Sequence, residues 1–202
     1  MIYSFSSISL YGQCPALYKA KYIDKCIVEE TTPAMEYGRM IHEKLEQALN
    51  NRVPNPPDGC KVPQRLWELL VEHNAQTEVK LAIDSEGNPT GFFDKAAVLR
   101  GAADVLVGRV MVDWKTGNPR FVDPFQAEVY AALLGYREWE LNFLFAYTKT
   151  GDLKLFKLDH KQCYAKVVNK IAEIEAVNAF DPKPSWKCRF CPLVDCPHNK
   201  KT

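Results

Sequence analysis

Apolar positions recur at helical spacing early in the chain and at strand spacing through its middle. Met35, Ile41, Leu45 and Leu49 lie within a run of helix formers, with Thr31 and Thr32 as caps and Pro33 as an early helical residue, which predicts a helix over 33–49. Leu66, Leu69, Leu70 and His73 fall along one side of a second helix over 62–75, and a further helix is read over 7–21. Between the helices over 33–49 and 62–75, Arg52-Val-Pro-Asn-Pro-Pro-Asp-Gly59 reads as a loop. Strands are expected over 78–83, 91–93, 97–107 and 110–114, the last two joined by a tight turn at Gly108-Arg109. Asp123-Pro124 then starts a helix that runs to about Leu134. Two more strands, 141–148 and 153–158, flank Lys149-Thr-Gly-Asp152, and a long helix over 160–179 leads to Pro182-Lys-Pro184. This order predicts an α/β chain, a single domain over 1–202 with a mixed central sheet flanked by helices.

Composition changes that picture little. With 202 residues, 47% of them hydrophobic, the chain can bury one sizeable core and is short for two domains. No apolar run is long enough to span a bilayer, and Ile2-Tyr-Ser-Phe5 carries no basic leader, so no membrane association and a cytoplasmic place are expected. A formal net charge of +1 is not that of a nucleic-acid coat protein, so affinity for nucleic acid has to come from local placement. Local cations are Lys19, Lys21, Lys25, Arg39, Arg120, Lys187, Arg189, Lys200 and Lys201, each on its own an ordinary solvated charge. Clustered around a metal site they would contact phosphates without reading sequence.

The chemistry is concentrated in Gly101-Ala-Ala-Asp104 and Asp113-Trp-Lys115-Thr-Gly117. Asp104 and Asp113 can lie on adjacent strands, and carboxylate oxygens suit hard cations such as Mg²⁺ or Mn²⁺. Lys115, two residues beyond Asp113, projects from the same strand face and can reach the same phosphate. An Asp-x-Lys on a solvated strand is usually two unrelated charges; its neighbours give it weight. On one side stands Gly38-Arg-Met-Ile-His42, whose imidazole is an acceptable ligand beside carboxylates. On the other is Gln126-Ala-Glu-Val-Tyr130, a polar pair one helical turn apart that can position a substrate. Trp114 and Tyr130, or Tyr11 and Tyr18, are candidates for stacking on unpaired bases, although most aromatic residues are core.

Taken in order, Gly38-x-x-x-His42, Gly101-x-x-Asp104, Asp113-x-Lys115-Thr-Gly and Gln126-x-x-x-Tyr130 resemble the motifs of RecB-like nucleases in the PD-(D/E)XK superfamily. The resemblance spans most of the chain. It implies a restriction-endonuclease-like domain whose N-terminal helices fold over the site. It also implies a nuclease centre in which His42, Asp104, Asp113 and the Trp114 carbonyl hold the metal while Lys115 places or activates water. Glu78 is a weaker match, as an accessory acid. The implied function is a metal-dependent DNA exonuclease of recombination, repair or phage DNA processing, in a prokaryotic cell or phage-infected host. The implied substrate is single-stranded DNA or an end-bearing duplex. The alternatives are an endonuclease, or an accessory DNA-binding subunit of a recombination or CRISPR adaptation complex. No Walker-type motif is present, and a homo-oligomer or a recombination partner protein remains open.

Seven cysteines, an odd number with no secretory signal, argue against a disulfide framework. Three of them form the knuckle Trp186-Lys-Cys188-Arg-Phe-Cys191-Pro-Leu-Val-Asp-Cys196-Pro, which asks for a fourth thiolate. Residues 7–18 contain Tyr11, Cys14, Pro15 and Tyr18. They match the Tyr-x-x-Cys-Pro-x-x-Tyr element of the iron-sulfur RecB-like nucleases, the AddB type and the fourth CRISPR-associated protein family. The resemblance therefore implies a 4Fe-4S cluster on Cys14, Cys188, Cys191 and Cys196, with 1–30 and 180–202 forming one metal-cluster element that joins the two terminal segments. Four thiolates equally describe a structural zinc site, and spacing alone admits both. Cys26, Cys60 and Cys163 read as small packing residues.

Overall fold

A computed structural model describes residues 1–28, 30–120, 122–134 and 140–200. The elements in chain order are α1 (Phe5–Gln13), α2 (Pro15–Tyr18), a π-helical turn (Lys19–Ile23), α3 (Pro33–Asn50), α4 (Gln64–Glu72), β1 (Gln76–Ile83), β2 (Leu99–Val107) and β3 (Val110–Lys115). They continue with α5 (Pro124–Leu133), β4 (Glu140–Tyr147), β5 (Leu153–Asp159), α6 (His160–Glu175) and a 3₁₀ turn (Trp186–Phe190). They fall into two compact units, one of residues 1–2 and 31–167, the other of residues 3–30 and 168–202.

The first unit is built on a five-stranded sheet in the order β1-β2-β3-β4-β5. All neighbours are antiparallel except β3 and β4, which run parallel with Asp113 opposite Phe145 and Lys115 opposite Tyr147. A parallel pair needs a crossover, and α5 supplies it. This local β3-α5-β4 unit brings Gln126 and Tyr130 back over the strand that carries Asp113 and Lys115.

Alternation along β3 sends its residues to two different cores. Val112 and Trp114 pack with Ile41, Leu45 and Leu49 of α3 and with Trp67 and Leu70 of α4. Met111 packs on the opposite face with Ala127 and Ala131 of α5, Phe143 and Phe145 of β4, and Cys163 of α6. Thr32 caps α3 by accepting from the Met35 N–H, with Pro33 at the first helical position, where its missing N–H costs nothing. Trp67 Nε1 donates to the Val53 carbonyl at 2.8 Å and so fastens the proline-rich loop to α4.

The second unit begins with α1, closed by a capping box between Ser4 and Ser7. The single helix expected over 7–21 is broken. Cys14 is extended, at φ −160° and ψ 108°, because Pro15 disfavours helical backbone in the residue before it. The chain restarts as α2 and loosens into the π turn. Tyr18, fully buried, lies edge-on to Tyr11 at 5.5 Å and stacks on Phe180 at 6.1 Å.

The strand expected over 91–93 is also absent. Asp94 N donates to the Gly91 carbonyl in a turn that leaves Phe93 78% exposed, so the two adjacent phenylalanines signal β propensity without a strand partner. The helix expected over 62–75 is shortened to α4 because Pro63 precedes it, and the last helix ends at Glu175. Cys60 and Cys163 are buried as expected; Cys26 is exposed, its Sγ 3.4 Å from the Ala20 carbonyl. No helix among the described residues is long and apolar enough to cross a membrane.

Candidate active site

β2 and β3 present Asp104 and Asp113, α3 presents His42, and α5 presents Gln126. Asp104 is pinned first: its Oδ2 accepts from the Trp114 backbone N–H at 2.7 Å, and its Oδ1 lies 3.3 Å from His42 Nδ1. Burial would lower the His42 pKa, but the Asp104 hydrogen bond and charge, the Asp113 charge and a backbone hydrogen bond with Trp114 outweigh it and hold the imidazole above its usual value. His42, Asp104, Asp113 and the Trp114 backbone therefore lie together.

Asp113 is 7% exposed. Gln126 Nε2 donates to its Oδ1 at 2.7 Å, and Lys115 Nζ stands 2.7 Å from its Oδ2, an ion pair too poorly angled to count as a full hydrogen bond. Lys115 Nζ also donates to Gln126 Oε1 at 2.8 Å and sits 5.0 Å above the Phe145 ring. Gln126 thus clamps the acid and the lysine together, a role that its sequence position alone did not disclose. Burial first, and then the Asp104 charge, push the Asp113 carboxyl up to about 6 against the opposing pull of Lys115 and His42.

Tyr130 is less available than its motif suggested. Its hydroxyl donates to the Ala102 carbonyl at 2.5 Å and its ring stacks on Phe143 at 5.7 Å. The Gly101 of the Gly-x-x-Asp motif lies beneath that ring: a Cβ there would stand 2.9 Å from Leu133 Cδ1 and 3.2 Å from Tyr130 Cε1. Gly38 has a Cβ position 3.4 Å from Thr116 Oγ1, so the first glycine of the motifs faces the end of the Asp-x-Lys strand.

Glu78 lies beside these groups, in an open cleft of about 500 Å³ lined by Gly38, Arg39, His42, Glu43, Glu46 and Glu78. Burial, together with the Asp104 and Glu46 charges, raises its pKa. It occupies the left-handed region at φ 48°, a conformation that costs a side-chain-bearing residue about 1–3 kcal/mol.

Two of the four rings expected to stack on bases are corrected. Trp114, 2% exposed, and Tyr18, fully buried, offer no ring to a base. Lys19 is paired with Asp24 at 2.6 Å and Arg39 with Glu43 at 3.8 Å, while Lys201 lies outside the described residues.

A divalent cation fits the chemistry of the donor set, two carboxylates and an imidazole, in which burial and the Asp104 charge raise the Asp113 pKa despite Lys115 at 2.7 Å. Among the described residues, however, no three His, Cys, Asp or Glu side chains are already drawn in to metal-ligand distance.

In the second unit Cys14, Cys188, Cys191 and Cys196 all line one cavity of about 350 Å³. The Lys183 N–H points at Cys14 Sγ at 3.5 Å and the Ser185 N–H at Cys188 Sγ at 3.3 Å, the donor arrangement a thiolate uses.

A family profile described as the PD-(D/E)XK nuclease superfamily matches residues 2–82, which include Cys14, Gly38, His42 and Glu78 and stop before Asp104. No curated protein matches the chain. Among solved structures, a crystal structure of SSO0001 superposes with a TM-score of 0.54 at 16% identity, covering 98% of this chain and 87% of that one. At that identity the likeness concerns the fold. The five-stranded mixed sheet flanked by helices fits a restriction-endonuclease-like fold, and the profile over its first part is that of a nuclease superfamily.

Proposed function

We propose that this chain is a Mg²⁺- or Mn²⁺-dependent deoxyribonuclease that digests DNA from ends, in recombination, repair or phage DNA processing. The observation that carries the reading is the clamp of Asp113, Lys115 and Gln126 beside Asp104 and His42. It gathers two carboxylates, an imidazole and an ammonium, of which His42 lines the open cleft. The ligands in this reading are His42, Asp104, Asp113 and the Trp114 carbonyl. When bound, the divalent ion supplies a Lewis acid for a phosphoryl oxygen and lowers the pKa of a water molecule.

The protein's own residues do the remainder. Lys115 Nζ, held by Gln126 Oε1 beside Asp113, would hold a non-bridging phosphate oxygen or the attacking water in line. Water oxygen bonds to phosphorus, the bond to the leaving sugar oxygen breaks, and that oxygen takes a proton while the attacking water loses one. Gln126 sets the height of Lys115 over the sheet, and Tyr130 fixes α5 to β2 so that Gln126 stays in register. Both serve the substrate by positioning. Cys14, Cys188, Cys191 and Cys196 are proposed to hold a structural 4Fe-4S cluster; their place around one cavity, with N–H groups aimed at two of the sulfurs, supports a ligand shared by the four.

The digestion mode is tested with anaerobically purified protein on linear and closed circular DNA, each single- or double-stranded. Loss of linear molecules only, in Mn²⁺ or Mg²⁺ and not in EDTA, is expected. Cutting of circles would replace exonuclease by endonuclease, and no cleavage of any substrate would leave an accessory DNA-binding subunit.

A further inference from the structure

Among the described residues most aromatic rings are buried or half-buried, and of those expected to stack on bases Trp114 and Tyr18 are fully covered. Two rings beside the cysteine cavity are different. Trp186 and Phe190 are each 67% exposed. They stand 6.4 Å apart, with planes at 83°, on the short 3₁₀ turn that also carries Cys188. Tryptophan, with an apolar face and a polar edge, is enriched where a partner covers it, and here a second exposed ring stands beside it.

The cations around these rings indicate what that is. Lys187 Nζ lies 6.0 Å from the Trp186 centroid and the Arg189 guanidinium 5.9 Å from that of Phe190. Lys187 is held by the neutral Gln13 Oε1 at 2.8 Å, Arg189 Nε by the Trp186 carbonyl at 3.2 Å, and Lys183 Nζ by the Gly12 carbonyl at 3.0 Å. Among the described residues none of the three faces a carboxylate, so each is oriented by neutral oxygens and keeps its charge for a partner. Residues 182–202 contain five basic side chains and one acidic. Flat apolar faces alternating with uncompensated cations match a polyanion that carries its own flat faces.

We propose that Trp186 and Phe190, flanked by Lys187, Arg189 and Lys183, form a stacking platform for unpaired bases of a single DNA strand. The choice of DNA as occupant rests on the nuclease reading above. In this arrangement the rings take one or two bases and the cations hold adjacent phosphates, which gives binding that tolerates any sequence and weakens with salt. A duplex, whose bases are stacked internally, has no free face for the rings.

The test is fluorescence anisotropy in EDTA with the full chain as purified anaerobically, so that binding is read without cleavage. The probes are an end-labelled oligothymidylate, an abasic strand of the same length and a duplex. Trp186→Ala and Phe190→Ala should each weaken oligothymidylate binding roughly tenfold, with little change for the abasic strand or the duplex. Trp186→Phe should restore most of the loss. Lys187→Gln with Arg189→Gln should flatten the salt dependence by about 0.7 in slope per cation. Melting temperature and iron and zinc content guard against an unfolded knuckle.

Equal losses on oligothymidylate and abasic strand would overturn stacking, and so would ring variants that bind oligothymidylate like wild type. Ring variants that only change the sedimentation coefficient would overturn it in favour of a protein contact. Ring-dependent strand binding in a chain that never cleaves DNA would support the platform while removing the nuclease reading, so the two fail separately.

Discussion

Gly101 tests whether the packing beneath Tyr130 is what keeps the clamp in place. A Cβ at this position stands 2.9 Å from Leu133 Cδ1 and 3.2 Å from Tyr130 Cε1, whereas carbon atoms in good contact lie about 3.5–4.0 Å apart. The shortfall, roughly 0.6–1.1 Å at Leu133, has no easy relief. Leu133 is 2% exposed, and Tyr130 is held between its bond to Ala102 and the Phe143 ring. Overpacking of this kind costs about 1–3 kcal/mol. In Gly101→Ala, about 0.5–1 kcal/mol comes back because alanine loses less backbone freedom on folding, leaving a net cost near 1 kcal/mol. Gly101→Val adds two methyl groups to the same gap and costs about 3 kcal/mol. At about 2–4 °C per kcal/mol for a chain of this size, the melting temperature should fall by roughly 3 °C for alanine and 9 °C for valine. Because the relief has to come from α5, Gln126 moves with it, so kcat for DNA cleavage should fall in the same order while KM changes less. Thermal melts and steady-state cleavage of an end-labelled strand read both effects. A Gly101→Val protein with wild-type melting temperature and rate would refute the packing argument.

Gln126→Leu should cut kcat about 10- to 100-fold and also lower the melting temperature by several degrees, because it removes the donor to the buried Asp113 Oδ1 as well as the acceptor for Lys115; steady-state kinetics and a melt check the pair. Asp113 makes a pH prediction. Its carboxyl is pushed up to about 6 from 3.8, so the folded state holds the proton more tightly and stability is lost as pH rises through that window. In EDTA at pH 8, Asp113→Asn should therefore be more stable than wild type, by at most roughly 3 kcal/mol and less because the amide faces Lys115. The gain should vanish below pH 4, and Mn²⁺ should raise the melting temperature of wild type alone; a less stable variant at pH 8 would contradict this. Cys191→Ala should lower both iron or zinc content and melting temperature, read by elemental analysis and calorimetry, and unchanged values of both would count against the four-cysteine site. Gly87→Ala should destabilise by about 1–3 kcal/mol in a denaturant titration, since Gly87 sits at φ +83° and a Cβ added there would stand 2.7 Å from the Tyr164 ring.

Much of the first unit was legible because its signals are local. Thr32 and Pro33 announced α3, Asp123 and Pro124 announced α5, and the turn at Gly108 separated β2 from β3. Asp113 and Lys115 share a face by strand alternation, whereas Asp104 lies beyond the registered β2–β3 pairs, between Ala103 and Val105 of opposite cores, so its approach to them was not legible from spacing. Non-local information was not legible. That Gln126 would bridge Asp113 and Lys115, rather than face a substrate directly, depends on where the β3-α5-β4 crossover sets the helix over the sheet. That Tyr130 would spend its hydroxyl on Ala102 depends on Gly101 lacking a side chain. The break at Cys14 could have been read from Pro15 alone. The exposure of Trp186 and Phe190 could not, because spacing says which residues share a turn and not whether anything covers them.

Asp113 and Lys115, as the centre of a metal-dependent phosphodiesterase, are tested most directly by incubating end-labelled linear DNA with anaerobically purified protein in Mn²⁺. Lys115→Ala and Asp113→Ala variants, shown by their melts to be folded, run alongside. Wild type should shorten the labelled strand in the presence of metal, with no shortening in EDTA and none by either variant. Cleavage by a folded Lys115→Ala protein at the wild-type rate would contradict this assignment.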